Sequence, residues 1–166
     1  MIFILAQIMG AVSGICFMLS GAQKTHKKIM ILQIVDCTAV LINNLLLAGY
    51  AGAIMSGVSL TRNILSYKNK TNTKVTAIIM IISIILTFSF MDMSIIWNWL
   101  PLVASVVYTL GLHYGDCKTT KLHILINVTI WAIYNIFIKS YILNIFNVLT
   151  FIVTLQSLIK ENKTKS

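Results

Sequence analysis

Long apolar runs separated by short basic segments organise this chain. They cover residues 2–20, 28–47, 50–67, 75–91, 94–113, 121–138 and 141–159. Each approaches the roughly 20 residues that an α-helix needs to cross a bilayer core, so the pattern predicts seven helices. Polar residues recur inside these runs at helical spacing. On the second run Asp36 follows Gln33 by three residues, and Asn43 and Asn44 follow Asp36 by seven and eight, which is one helical face. The sixth run repeats the stripe with Asn127, Trp131, Tyr134 and Asn135. The third carries Ser56, Ser59 and Asn63, and the seventh carries Asn144, Asn147, Thr150 and Thr154.

The two stripes belong to an internal repeat. A shift of 94 residues lays Gly21 on Gly115, Lys24 on Lys118, Thr25 on Thr119 and Lys27 on Lys121. A shift of 91 then lays Asn44 on Asn135, Tyr50 on Tyr141 and Ser66 on Ser157. The same shift pairs Asp36 with Asn127, Val40 with Trp131, Asn43 with Tyr134 and Ser56 with Asn147. Each half reads as three helices. The span from Val75 to Met91 has no equivalent and returns the chain, so both halves take the same orientation. The expected fold class is an all-α membrane protein with a 3+1+3 arrangement of parallel repeats. Its parts are a first bundle over 1–70, a linker helix over 71–93, a second bundle over 94–160 and a tail over 161–166.

Charge orients the arrangement. Of thirteen Lys and Arg, all but Lys139 fall on one side of a seven-span reading. Cytoplasmic loops carry the excess of these residues. The N-terminus is therefore expected outside and the C-terminus in the cytoplasm. The chain is 58% hydrophobic and 10% charged, too few charges to cover a soluble domain of this size. The formal charge of +9 sits at helix ends and in loops, where topology and anionic lipid headgroups account for it, and nucleic acid is not implied. Met1 leads straight into apolar residues without a basic segment, so the first helix reads as a retained span.

Catalytic patterns are missing from the sequence. Cys16, Cys37 and Cys117 lack metal-ligand spacing, and His26, His113 and His123 all fall near the inner interface. No GxGxxG or phosphate-loop spacing occurs. No enzyme activity, metal or cofactor is expected. Asn69, Asn127 and Asn162 begin glycosylation-like triplets but lie on the inner side or within the membrane, so these are chance matches.

Polar side chains in a membrane face a bundle interior or a water-filled path. Two readings of the stripes stand: a cavity that hydrogen-bonds a small polar solute, or interhelical glue. The candidate solute-binding residues are Asp36, Asn43, Asn44, Asn127, Trp131, Asn135 and Asn147. Asp36 is the acid placed deep in a span, where a charge costs about 2.5–3.5 kcal/mol on insertion scales. It reads either as a proton-coupling or substrate carboxyl, or as a protonated group donating to a neighbour such as Gln33. Arg62 is expected to snorkel to the interface. Trp97 and Trp99 suit an aromatic belt at the outer face. Pro101 marks a kink or the first turn of a later-starting helix. Gly10, Gly14, Gly49 and Gly52 allow close helix approach or a tight turn.

The run Leu45-Leu46-Leu47-Ala48-Gly49-Tyr50-Ala51-Gly52, followed by Arg62-Asn63, resembles the first-half signature of the bacterial YgjV-type inner membrane proteins. Trp131-Ala132-Ile133-Tyr134-Asn135 with Ser140, and Leu100-Pro101, resemble matching stretches of the second half. The resemblance implies a bacterial inner membrane location. That family often has a His before the leucines; Asn43 and Asn44 stand there in this chain. The architecture also resembles the SWEET, PQ-loop and nicotinamide riboside transporter group. Sugar-carrying SWEET proteins place a Trp on the second helix of a bundle and an Asn on the third. Trp131 and Asn147 match this, whereas Val40 and Ser56 do not. The Pro-Gln pair is missing, since Ala22 precedes Gln23 and Asp116 precedes Cys117.

The functional expectation is a small polar solute transporter working by alternating access between two bundles. The alternative is a non-transporting membrane scaffold or regulatory subunit. The expected partners are the lipid bilayer and a small polar solute.

Overall fold

The computed structural model describes residues 1–92, 94–113 and 117–164, the side chains of 112–113 and 161–164 excepted. Met93, Gly115, Asp116 and the end of the tail, all used in the sequence reading, lie outside the described residues, as does the side chain of His113. Seven α-helices are described: α1 (Ile2–Gly21), α2 (His26–Leu46), α3 (Tyr50–Tyr67), α4 (Thr73–Phe90), α5 (Trp99–His113), α6 (Cys117–Phe137) and α7 (Tyr141–Thr164). Four are long and apolar enough to cross a membrane, namely α1, α2, α4 and the stretch Tyr141–Lys160 of α7.

Six helices close a ring. α1 packs on α2 and α7, α2 on α3, α3 on α5, α5 on α6, and α6 on α7. α4 lies against α3 and α5 from outside. The ring is inside-out relative to a water-soluble domain. More polar than apolar side chains are buried, while Ile2, Ile4, Ile81, Ile85, Phe90, Ile136 and Ile145 are exposed. An apolar solvent rewards this partition and water would not. Gly14 lets the ring close between α1 and α7, because a Cβ there would stand 2.2 Å from the Phe146 side chain.

The helix ends differ from the sequence pattern where local chemistry competes with hydropathy. α5 starts at Trp99, although the apolar run begins at 94. The Asp92 carboxylate accepts from the Ser94 amide at 2.9 Å and hydroxyl at 2.6 Å, and the Asn98 amide reaches the Asp92 carbonyl at 2.9 Å. These bonds set a turn and a short 3-10 segment, Ile96–Asn98, before the helix. They also hold the exposed Asp92 carboxyl below its ordinary range. Pro101 consequently sits in the first turn of α5, where its missing N–H costs nothing. α4 starts where Asn72 accepts from the Val75 amide at 2.9 Å, an N-cap.

The turns after α2 and α6 share one geometry. Ala48 (φ 55°) and Lys139 (φ 58°) are both left-handed. The Gly49 amide bonds to the Asn44 carbonyl at 2.8 Å, and the Ser140 amide to the Asn135 carbonyl at 2.9 Å. Ala48 to Leu45 and Lys139 to Ile136 repeat the inner bond, at 3.2 Å each. Every member is related to its counterpart by the 91-residue shift. These are Schellman-type caps built on residues other than glycine. The left-handed conformation costs a non-glycine residue about 1–2 kcal/mol. Ala48→Gly and Lys139→Gly should therefore each raise the melting temperature of the purified protein by a few degrees. Asn69→Gly should change it less, since Asn69 (φ 52°) already suits that conformation.

Candidate functional site

Inside the ring lies a cavity of about 50 Å³ lined from both halves of the chain. Its walls include Ser13 of α1; Gln33, Asp36, Cys37 and Val40 of α2; Ser56, Ser59, Arg62 and Asn63 of α3; and Tyr108 of α5. The other side is Asn127, Trp131 and Asn135 of α6 with Leu143 and Asn147 of α7. Five of the seven sequence candidates meet here: Asp36, Asn127, Trp131, Asn135 and Asn147. The 91-residue pairs Asp36 and Asn127, Val40 and Trp131, and Ser56 and Asn147 all contribute.

Arg62 corrects the sequence reading. It does not snorkel; it is 3% exposed and lines the cavity. α5 explains this. The guanidinium lies 4.7 Å from the centre of the Tyr108 ring. Its Nη1 donates to the Thr109 hydroxyl at 3.1 Å and the Ser105 carbonyl at 3.4 Å. Its Nε donates to Asn63 Oδ1 at 3.2 Å, and Asn63 Nδ2 reaches Cys37 Sγ at 3.3 Å. A planar cation stacked on an aromatic face and bonded at several corners compensates for lost hydration better than an ammonium would. The Tyr108 hydroxyl continues the network by donating to Gln33 Oε1 at 2.7 Å.

Asp36 takes a different partner from the one its own helix offers. The Ser13 hydroxyl of α1 donates to Asp36 Oδ1 at 2.5 Å, whereas Gln33 serves Tyr108 and Ser20. Gln33 is thus not the neighbour of the carboxyl.

The α6–α7 wall is polar but poorly bonded. Asn135 is fully buried and neither its Oδ1 nor its Nδ2 has a partner. Asn147 Nδ2 and, nearby in the ring, Asn44 Oδ1 and Thr154 Oγ1 are also buried without one. An unmet buried polar atom costs about 1–3 kcal/mol, so such groups normally find water or a ligand. The cavity volume of about 50 Å³ holds roughly four waters, at ~10–15 Å³ of such volume each.

Asn43 and Asn44 are not cavity-lining residues. Adjacent positions on a helix point about 100° apart, so a stripe cannot aim both at one space. Asn43 Nδ2 donates to the Ala6 carbonyl at 2.6 Å, and its Oδ1 accepts from the Ser140 hydroxyl at 3.0 Å. Asn44 Nδ2 donates to Ser56 Oγ at 3.3 Å, behind the wall. Tyr134, the 91-residue counterpart of Asn43, reaches the opposite way: its hydroxyl accepts from the Gly52 amide at 3.0 Å. Gly52 has no room for a side chain, since a Cβ would stand 2.7 Å from the Tyr134 ring. Asn43 and Tyr134 therefore clamp α2 to the start of α7 and α6 to the start of α3. Beyond the clamp lies a wide vestibule of about 570 Å³, lined by Tyr134, Tyr50, Trp97 and Asp92 among others. Trp97 stacks on Phe137 at 4.9 Å at this end.

A family model described as Imp-YgjV, a bacterial inner membrane protein, matches residues 4–165. The chain belongs to this family. No curated protein and no solved structure matches it. Membership agrees with the apolar exterior of this YgjV-family protein and leaves the chemistry of the cavity to its geometry.

At the opposite end of the YgjV-family ring, two further bonds tie helix starts to helix ends. His26 Nε2 lies 2.9 Å from Ser66 Oγ, and Lys121 Nζ donates to Ser157 Oγ at 2.8 Å. Among the described residues no cluster of His, Cys, Asp or Glu could hold a metal ion. The bonding pattern separates fold from site. Asn43→Ala strands Ser140 Oγ and removes the second bond to the Ala6 carbonyl, and should lower stability by about 1–3 kcal/mol in thermal melts. Asn147→Ala, which removes an amide whose Nδ2 has no partner, should cost distinctly less.

Proposed function

We propose that this YgjV-family protein carries a small polar solute across the inner membrane by alternating access. The single observation behind this reading is a cavity on the ring axis whose buried amides lack partners. Interhelical glue accounts for bonded amides such as Asn43 and leaves Asn135 and Asn147 unexplained. Asp36, Asn127, Trp131, Asn135 and Asn147 are the proposed solute contacts, with Asn44 behind them.

The 3+1+3 arrangement is part of the proposal. It is supported by the matched caps at Ala48 and Lys139 and by contacts that recur with α1, α2 and α3 exchanged for α5, α6 and α7. Such parallel repeats, as in SWEET proteins, rock about a central site. In this reading Asn43 and Tyr134 form a closed gate between cavity and vestibule. In this reading the His26 end faces the cytoplasm, and the vestibule and the N-terminus face outside, as the distribution of basic segments favours. Without Arg62, which is interior, the asymmetry persists in the lysines.

Proteoliposomes holding the purified protein test this by counterflow of labelled sugars, nucleosides and amino acids. One class should exchange saturably, and Asn135→Leu should reduce the rate at least tenfold with the protein still folded. Exchange no faster than in empty liposomes for every class would refute transport. Reporter fusions should find the N-terminus outside and the C-terminus inside.

A further inference from the structure

The cavity is lined by one buried basic side chain and one buried acidic side chain that make no ion pair with each other. Arg62 commits Nε and Nη1 to Asn63, Ser105 and Thr109, and Nη2 makes no bond. Asp36 commits Oδ1 to Ser13, and Oδ2 makes no bond. Both side chains line the same cavity without an ion pair between them. A neutral solute needs neither charge. A solute of one charge would meet its complement together with a like charge, which costs affinity. Two opposed charges held apart in a low dielectric are complementary to a ligand that carries both.

We propose that the solute is a small zwitterion of the amino-acid kind, its anionic end on Arg62 and its cationic end on Asp36. This rests on the transport reading above and names its substrate class. Asn135 and Asn147, whose amide hydrogens are unspent, complete the bonding of a carboxylate. Trp131, edge-on to Tyr134 at 5.5 Å, offers an aromatic face to an ammonium group. Room for roughly four waters suits a molecule of about five heavy atoms, the size of the smallest amino acids.

Glycine and alanine are the probes, with propionate, propylammonium and propionamide as controls of similar size bearing one charge or none. Titrated against the full-length protein in detergent, glycine or alanine should raise the melting temperature saturably, and the controls should not at equal concentration. Asp36→Asn and Arg62→Gln should each weaken apparent affinity at least tenfold, and Arg62→Lys, which keeps the charge, less. If those variants do not fold, the wild-type comparison of probes decides alone. Propionamide or a neutral sugar binding as well as glycine would overturn the zwitterion assignment and leave transport standing. If neither glycine nor alanine binds, the assignment falls; if no solute exchanges in liposomes either, the transport reading falls with it.

Discussion

A charged or amide side chain turned toward lipid has nothing to bond, and that constraint arranges the whole molecule. Helices α1, α2, α3, α5, α6 and α7 each carry polar residues that hydrocarbon would penalise, so they close on one another with those residues inward. Arg62 is the extreme case. Its burial requires the ring of Tyr108, the hydroxyl of Thr109 and the carbonyl of Ser105, which are supplied by α5 alone. α3 and α5 are thereby held at the place where the two halves of the chain meet. The polar interior is a requirement of the fold before it is a site for anything else.

The sequence displayed the helices and stripes because both follow from periodicity in a single segment. Asp36, Asn127, Trp131, Asn135 and Asn147 belong to stripes at helical spacing in three runs, and these are the residues that share the cavity. What it concealed depends on partners far along the chain. Arg62 lies near a helix end, where snorkelling costs little, and nothing on α3 announces Tyr108. Ser13 stands in an apolar first helix without a stripe of its own, yet it holds Asp36. Asn43 and Asn44 look equivalent as neighbours, and only the approach of Ala6 and Ser140 assigns Asn43 to the clamp. The start of α5 was hidden because hydropathy does not register the bonds from Ser94 and Asn98 to Asp92.

Two kinds of polar group thus coexist in the ring and answer to different demands. Asn43, Tyr134 and Gln33 have their bonds met by protein and hold helices together. Asn135 and Asn147 face the cavity with bonds unmet, beside an acid and a base that leave atoms free. A membrane protein selected for packing alone would have little reason to keep the second kind. Their placement at repeat-related positions connects them to the 91-residue correspondence seen in the caps. In the proposed reading the two halves are like-oriented, and a rocking motion would expose a solute between them first to one side and then to the other.

Water access to the ring axis is the most direct test. Cysteines placed by Asn135→Cys and Asn147→Cys, in a background lacking Cys16, Cys37 and Cys117, would be treated with a membrane-impermeant thiol reagent. Ile126→Cys and Ile145→Cys, exposed on the lipid-facing surface, serve as the comparison. The first pair should react and the second pair should stay silent. Silence at 135 and 147 from both sides of the membrane, or equal reaction at all four positions, would contradict it.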